Sequence, residues 1–281
     1  MRIGNIRRVV QVLALILFLL PPVIAGFGAL GFWPAGSNEA VGTPAELPFF
    51  GTLSSSTVFG ITLLDPFAAL QTLAASKSLE FAFDLLIGAL PVLVVYALIR
   101  GRVFCGWVCP VNFLLEGVDF LRKKLKLDVA ELPVPRHAKL IVAAVVLVLS
   151  ALLSIPVFEA FSPISFINKG LALGSIVGGL TLLAIILAEL FWGHRVWCRS
   201  LCPLGGFYEV LGKVGLVNVK INHEACISCN KCKKACLCDP AILDDPVEGT
   251  SPAVCAGDCM LCGKCVDACP TKALTIGLGR K

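Results

Sequence analysis

Charge is scarce in this chain: 15% of its 281 residues are Asp, Glu, Lys or Arg, against 57% hydrophobic. The mean hydropathy is +0.87. That balance excludes an ordinary soluble domain. Histidine is nearly missing too, with His137, His194 and His223 the whole supply and none within a long apolar run, which argues against a bis-histidine haem. Two methionines stand beside fourteen cysteines, so cysteine is not simply filling gaps in a core; twelve of the fourteen fall into spaced motifs. The net charge of +5 needs no nucleic acid to explain it, because the basic residues sit beside the apolar runs.

Those runs predict four helices: Val9 to Phe32 behind Arg2, Arg7 and Arg8, then Phe81 to Ile99, Leu140 to Phe158, and Leu171 to Gly193. At about 1.5 Å per residue each is long enough for a hydrocarbon core of about 30 Å. Pro21 and Pro22 predict a kink in the first. A cleaved signal peptide competes for that first run, but no A-x-A site precedes Pro34 and the run is too long. Between the first two helices, Trp33 to Leu79 is rich in Gly, Pro and Ser, with Pro66 to Ala75 readable as an interfacial helix or as a loop. Arg100, Arg102, Arg122, Lys123, Lys124, Lys126, Arg136 and Lys139 lie on one side of the chain's expected path, against Lys77 and Lys169 on the other. That asymmetry predicts both termini on the cytoplasmic side of the inner membrane. The expected fold is membrane α-helical over residues 1–219, four transmembrane helices in two repeated hairpins, followed by a small α+β domain over residues 220–281.

Each hairpin ends alike. Arg102-Val103-Phe104-Cys105-Gly106-Trp107-Val108-Cys109-Pro110 and Arg195-Val196-Trp197-Cys198-Arg199-Ser200-Leu201-Cys202-Pro203 are two copies of R-V-[FW]-C-x-x-[VL]-C-P. This is a parallel internal repeat. Cysteines four apart share a helical face, so Cys105, Cys109, Cys198 and Cys202 form a further redox centre if the copies meet, either a cluster or a redox-active dithiol. The plain alternative is four thiols packed in two turns.

The tail carries the strongest signal. Cys226, Cys229, Cys232 and Cys236 form one C-x2-C-x2-C-x3-C run, and Cys259, Cys262, Cys265 and Cys269 form a second, closed by Pro270. Such a run gives three thiolates to one iron–sulfur cube and the fourth to its neighbour. The expected sets are Cys226, Cys229, Cys232 and Cys269 for one [4Fe–4S] cluster, and Cys259, Cys262, Cys265 and Cys236 for the other. Zinc fits the spacing less well, since it favours C-x2-C pairs in separate knuckles. No proline follows Cys236, so Cys238 competes with it as ligand. Cys255 reads as a packed free thiol. Among single ionisable residues, Glu189 and Asp84 are candidate quinol or proton sites, with an arginine such as Arg195 or Arg102 as the structural partner for Glu189.

On these residues the chain resembles the NapH-type membrane ferredoxins, the quinol dehydrogenase membrane component of periplasmic nitrate reductase systems. The resemblance runs through the string Leu53-Ser54-Ser55-Ser56-Thr57-Val58-Phe59, the L-D-P at Leu64 to Pro66, the L-Q-T-L-A from Leu70, both C-x3-C-P turns and both cluster runs. It implies oxidation of a membrane quinol and delivery of electrons, through a peripheral iron–sulfur protein and a c-type cytochrome, towards a nitrate reductase. The alternative function is a membrane polyferredoxin in metal-centre maturation or redox regulation.

Overall fold

The computed structural model describes residues 2–29, 49–51, 53–58, 61–77, 80–126, 135, 137–167 and 176–279, with the side chains of residues 20–29, 49, 50, 58, 61, 80–84 and 176 outside the description. The expected outer segment from Trp33 to residue 48, together with Arg136 and Lys169, lies outside the described residues. The chain divides into two compact units, one of Met1–Val12, Val94–Ala144 and Leu187–Lys281, the other of Leu13–Leu93 and Val145–Ile186.

The expectation of four transmembrane helices is overturned: among the described residues no helix is long and apolar enough to cross a membrane. The apolar runs stop sooner than hydropathy alone implies. The run from Leu140 to Phe158 breaks at Ser154, which takes a left-handed φ of 56°, and at Pro156, leaving Ala138–Leu153 and the short Val157–Phe161. In the last run the described helix is Ile176–Phe191, and residues 171–175 lie outside the described residues. Sixteen residues rise about 24 Å, short of a hydrocarbon core of about 30 Å. Ile3–Ala29 and Glu80–Ile99 are longer, but only part of each has described side chains. The backbone stays helical through Pro21 and Pro22.

In the second unit, β1 (Phe49–Gly51), β2 (Ser55–Val58) and β3 (Ile61–Leu64) form an antiparallel sheet, with Ser55 opposite Leu64 and Thr57 opposite Thr62. The L-D-P string starts a helix, Pro66–Ser76, where helix and loop had competed. Asp65 caps it by accepting from the Ala68 amide at 3.0 Å, and Pro66 fills the first position, where no amide partner is needed. Its inner face buries Phe67, which meets Phe158 edge-on at 5.9 Å, and Gln71, whose Oε1 accepts from the Phe158 amide at 2.9 Å.

The first unit contains both C-x3-C-P turns and both cysteine runs. Val103–Trp107 leads into the helix Pro110–Lys124. A π-helical turn, Trp197–Leu201, leads into Pro203–Gly212. Val217–Ile221 and Leu274–Leu278 pair antiparallel and bracket the tail, with Val217 opposite Leu278 and Ile221 opposite Leu274.

Buried cations hold this unit together. Arg7, Arg100, Arg102, Lys139 and Arg195 are all fully buried, and a buried charge is tolerated only when paired. Arg7 bridges Glu116 at 2.6 Å, and Gln11 donates to the Gly106 carbonyl at 3.0 Å. Arg100 donates to the carbonyls of Val217, Val254 and Ala256 and to Asn218. Arg195 bridges Asp119 at 2.8 Å, and His194 lies 3.0 Å from the same carboxylate. Burial alone would raise the Asp119 pKa, but the hydrogen bond from His194 and the charge of Arg195 outweigh it and hold the carboxyl down at about 2.

Two predictions follow from this packing. A Cβ on Gly212 would lie 2.3 Å from the Gly257 carbonyl oxygen, whereas one on Gly117, exposed on Pro110–Lys124, meets nothing within 4 Å. Gly212→Ala should therefore lower stability by about 1–3 kcal/mol, and Gly117→Ala should raise it by about 0.5–1 kcal/mol, read as opposite shifts of the thermal midpoint. Asp119 has a depressed folded-state pKa, so its contribution is whole above about pH 4 and is lost as pH falls through about 2. It amounts to about 2 kcal/mol. Denaturant unfolding of wild type and Asp119→Asn should differ by about that much at about pH 6 and converge near pH 2.

Candidate iron–sulfur centres

The two tail runs share one backbone design. In the first, Ser228 and Asn230 have positive φ, of 50° and 55°; in the second, Leu261 and Gly263 do, at 49° and 72°. These are the residues on either side of the second cysteine of each run. Each loop then enters a five-residue helix, Lys231–Ala235 or Lys264–Ala268, that ends at the fourth cysteine. A positive φ on each side of a cysteine bends the backbone sharply there, and turns of this kind can aim amides at anionic groups such as iron–sulfur centres.

Around the first run lies a recess of about 330 Å³, including its open mouth, whose lining contains Cys226, Cys229, Cys232 and Cys269. Three come from one run and the fourth from the other, as crossed ligation requires. In the second group, burial pushes the Cys236 thiol well up, and the nearby Cys238, Cys262 and Cys259 add to the shift. Burial likewise raises Cys265, with Cys259 and Cys262 adding to the shift. Cys259 and Cys262 thus lie within electrostatic range of both Cys236 and Cys265. Backbone amides oppose these shifts at Cys259 and Cys265. All fourteen cysteines are free of disulfides.

Cys238 is otherwise engaged. Its sulfur accepts from Arg102 at 3.0 Å and donates to the Asp258 carbonyl at 2.9 Å. Burial lifts its thiol to about 12, against the pull of Arg102. Cys255, expected to be packed, is free but exposed.

At the other end of Arg102 lie the C-x3-C-P turns. The guanidinium donates to the Cys198 carbonyl at 2.8 Å and to Asp258 at 2.7 Å, and Lys139 pairs with the same Asp258 and with Glu209 at 3.2 Å. Cys109 and Cys202 cap helices in the same conformation, φ −61° and ψ 120° against φ −72° and ψ 112°, and each is followed by proline at the first helical position. Burial raises Cys109 far above the usual thiol range, with Cys105 and Cys202 among the contributing neighbours. Burial raises Cys202 to about 12, with Cys105 adding to the shift. The structure therefore brings Cys105, Cys109 and Cys202 within electrostatic range of one another, and Cys198 within range of Cys109 and Cys202.

The first turn also abuts the second tail run. Trp107 Nε1 donates to the Leu261 carbonyl at 3.0 Å, and a Cβ on Gly106 would lie 2.5 Å from the Met260 carbonyl oxygen, so only glycine permits this approach. Glu189 is buried and accepts from the Arg195 backbone amide at 2.5 Å, the arginine expected for it but through its main chain. Asp84 falls within Glu80–Ile99, and its side chain lies outside the described residues. Sequence reasoning missed Asp258, Lys139 and Asp119 as partners; Arg102 and Arg195 stood in the repeated R-V-[FW]-C string, and that repetition was the available signal.

A 4Fe-4S binding domain signature matches residues 81–128 and 175–222, and a second 4Fe-4S binding domain signature matches residues 256–275. Iron–sulfur sequence is thus spread along the chain, which corrects the expectation that it is confined to the C-terminal part. The ferredoxin-type protein NapH of Escherichia coli strain K12 is 36% identical, over 80% of this chain and 79% of its own length. The methylamine utilization ferredoxin-type protein MauN of Methylorubrum extorquens is 34% identical over 95% of this chain and 85% of its own length, and that of Methylobacillus flagellatus 35% over 97% and 88%. No solved structure matches. The chain accordingly belongs to the NapH-type ferredoxins, iron–sulfur proteins of electron transfer.

Proposed function

We propose that this protein oxidises a quinol at the cytoplasmic membrane. It passes the electrons through two [4Fe–4S] clusters held by the eight tail cysteines, towards a peripheral iron–sulfur protein and a c-type cytochrome of a nitrate reductase system. The observation that carries the reading is the recess lined by Cys226, Cys229, Cys232 and Cys269, the crossed ligand set of a two-cluster ferredoxin. Cys236 completes the second set with Cys259, Cys262 and Cys265, because the sulfur of Cys238 is held by Arg102 and Asp258. When bound, the clusters would supply one-electron redox centres whose potentials follow nearby charge and hydrogen bonding. The chain's part is to fix the thiolates, aim amides at them and place Arg102 beside them.

Oxidation of one quinol releases two electrons and two protons. Glu189 is the proposed acceptor for a proton: it is buried, and its Oε1 has no hydrogen-bond partner among the described residues. Apolar side chains left uncovered, among them Leu86, Ile87, Leu90, Ile141 and Val148, suit contact with lipid, the source of a quinol. The nitrate system as destination rests on the likeness to NapH. A second reading, electron delivery in methylamine utilization, is favoured by the two MauN proteins that match 95% and 97% of the chain.

The test is anaerobic mixing of the oxidised protein with menaquinol and, separately, ubiquinol analogues. At least one should bleach the visible cluster absorption. Bleaching by dithionite but by neither quinol overturns quinol oxidation and favours supply of reducing equivalents for metal-centre assembly. A folded protein that is colourless and iron-free overturns the electron-carrier reading altogether.

A further inference from the structure

We propose that Cys105, Cys109, Cys198 and Cys202 together hold a third [4Fe–4S] cluster, one site built jointly by the two C-x3-C-P turns. The proposal rests on the reading of the chain as an iron–sulfur electron carrier, and it adds a centre between the tail and the repeated helices.

Thiol number comes first. Each matched stretch, residues 81–128 and residues 175–222, contains only two cysteines, so neither can encircle a cube that needs four. Together they supply four. Backbone comes second. Cys109 and Cys202 sit at equivalent caps, with nearly equal φ and ψ, ahead of a proline-led helix. The unpaired amides of a helix's first turn then face the cap sulfur. The Gly205 amide donates to Cys202 Sγ at 3.4 Å, and the amides of Val111 and Asn112 favour the Cys109 thiolate without a capping hydrogen bond.

Charge comes third. Four thiolates, three of them at buried positions, need nearby cations, and the two repeat arginines provide them. Arg102 is buried with its guanidinium on the Cys198 carbonyl, and Arg195 is buried close enough to Cys198 to favour its thiolate. A single zinc ion is the competing occupant of a four-thiol site.

Position gives the site a role. Trp107 and Gly106, inside the first turn, touch the carbonyls of Leu261 and Met260, which lie between Cys259 and Cys262. A cluster in the turns would therefore adjoin the second tail cluster and extend the electron path beyond it.

Iron and acid-labile sulfide per chain, with low-temperature EPR of the dithionite-reduced protein, test the proposal. Anaerobically prepared wild type should hold about twelve irons, and the pair of substitutions Cys105→Ser and Cys198→Ser should leave about eight with the signals of the tail clusters intact. Cys255→Ser should leave the count unchanged. About eight irons in wild type overturns the third cluster while the two-cluster carrier stands, as does zinc at one per chain beside eight irons. No iron at all overturns the carrier reading itself. Where the double variant does not fold, the wild-type count decides alone.

Discussion

The guanidinium of Arg102 is the constraint on which the first unit depends. It is fully buried, and it reaches the Cys198 carbonyl, Cys238 Sγ, and both the carbonyl and the carboxylate of Asp258. These groups are about a hundred residues or more from it in sequence. A buried charge must find partners at fixed positions, so one planar fork of donors sets the mutual placement of three distant segments. Burial alone would lower its pKa, yet the surrounding sulfurs and Asp258 hold it charged and raise that pKa well above the ordinary value. Removing Asp258 would leave Arg102 and Lys139, both buried, without the carboxylate they share.

The same logic recurs around it. Arg195 holds Asn112 and Asp119 as Arg102 holds Asp258, and the two arginines occupy equivalent places in the repeat, three residues before Cys198 and Cys105. Arg100 ties the strand Val217–Ile221 to the carbonyls just ahead of Cys259. Each charge also sits close to sulfur, so the groups that stabilise the fold bear on whatever the thiolates bind.

Much of the site was legible in the sequence because cysteine spacing encodes local loop geometry. The runs from Cys226 and from Cys259 adopt one backbone, down to the positive φ on either side of the second cysteine. The R-V-[FW]-C repeat was visible as well, and so was the possibility that its cysteines meet. What hydropathy misread was the ends of the apolar runs: a left-handed Ser154 and Pro156 divide a segment whose composition is uniformly apolar. It also gave no sign of which basic residues beside the apolar runs face solvent. Arg100, Arg102, Lys139 and Arg195 are interior, because their partners, Asn218, Asp258, Glu209 and Asp119, lie far along the chain where no local pattern reveals them. Burial of a charge is a property of tertiary pairing, and period and composition carry no trace of it.

Asp267, between Cys265 and Cys269, accepts from the amides of Ile3 and Gly4 at 3.0 and 2.7 Å. It thereby satisfies donors that open the helix Ile3–Ala29, which that helix cannot pair internally. Residue 3 leaves the ribosome long before residue 267, so this end of the helix waits through most of translation for its cap. A residue 264 positions further along the chain fastens the opening of this helix, and the unit closes only once the second cysteine run has emerged.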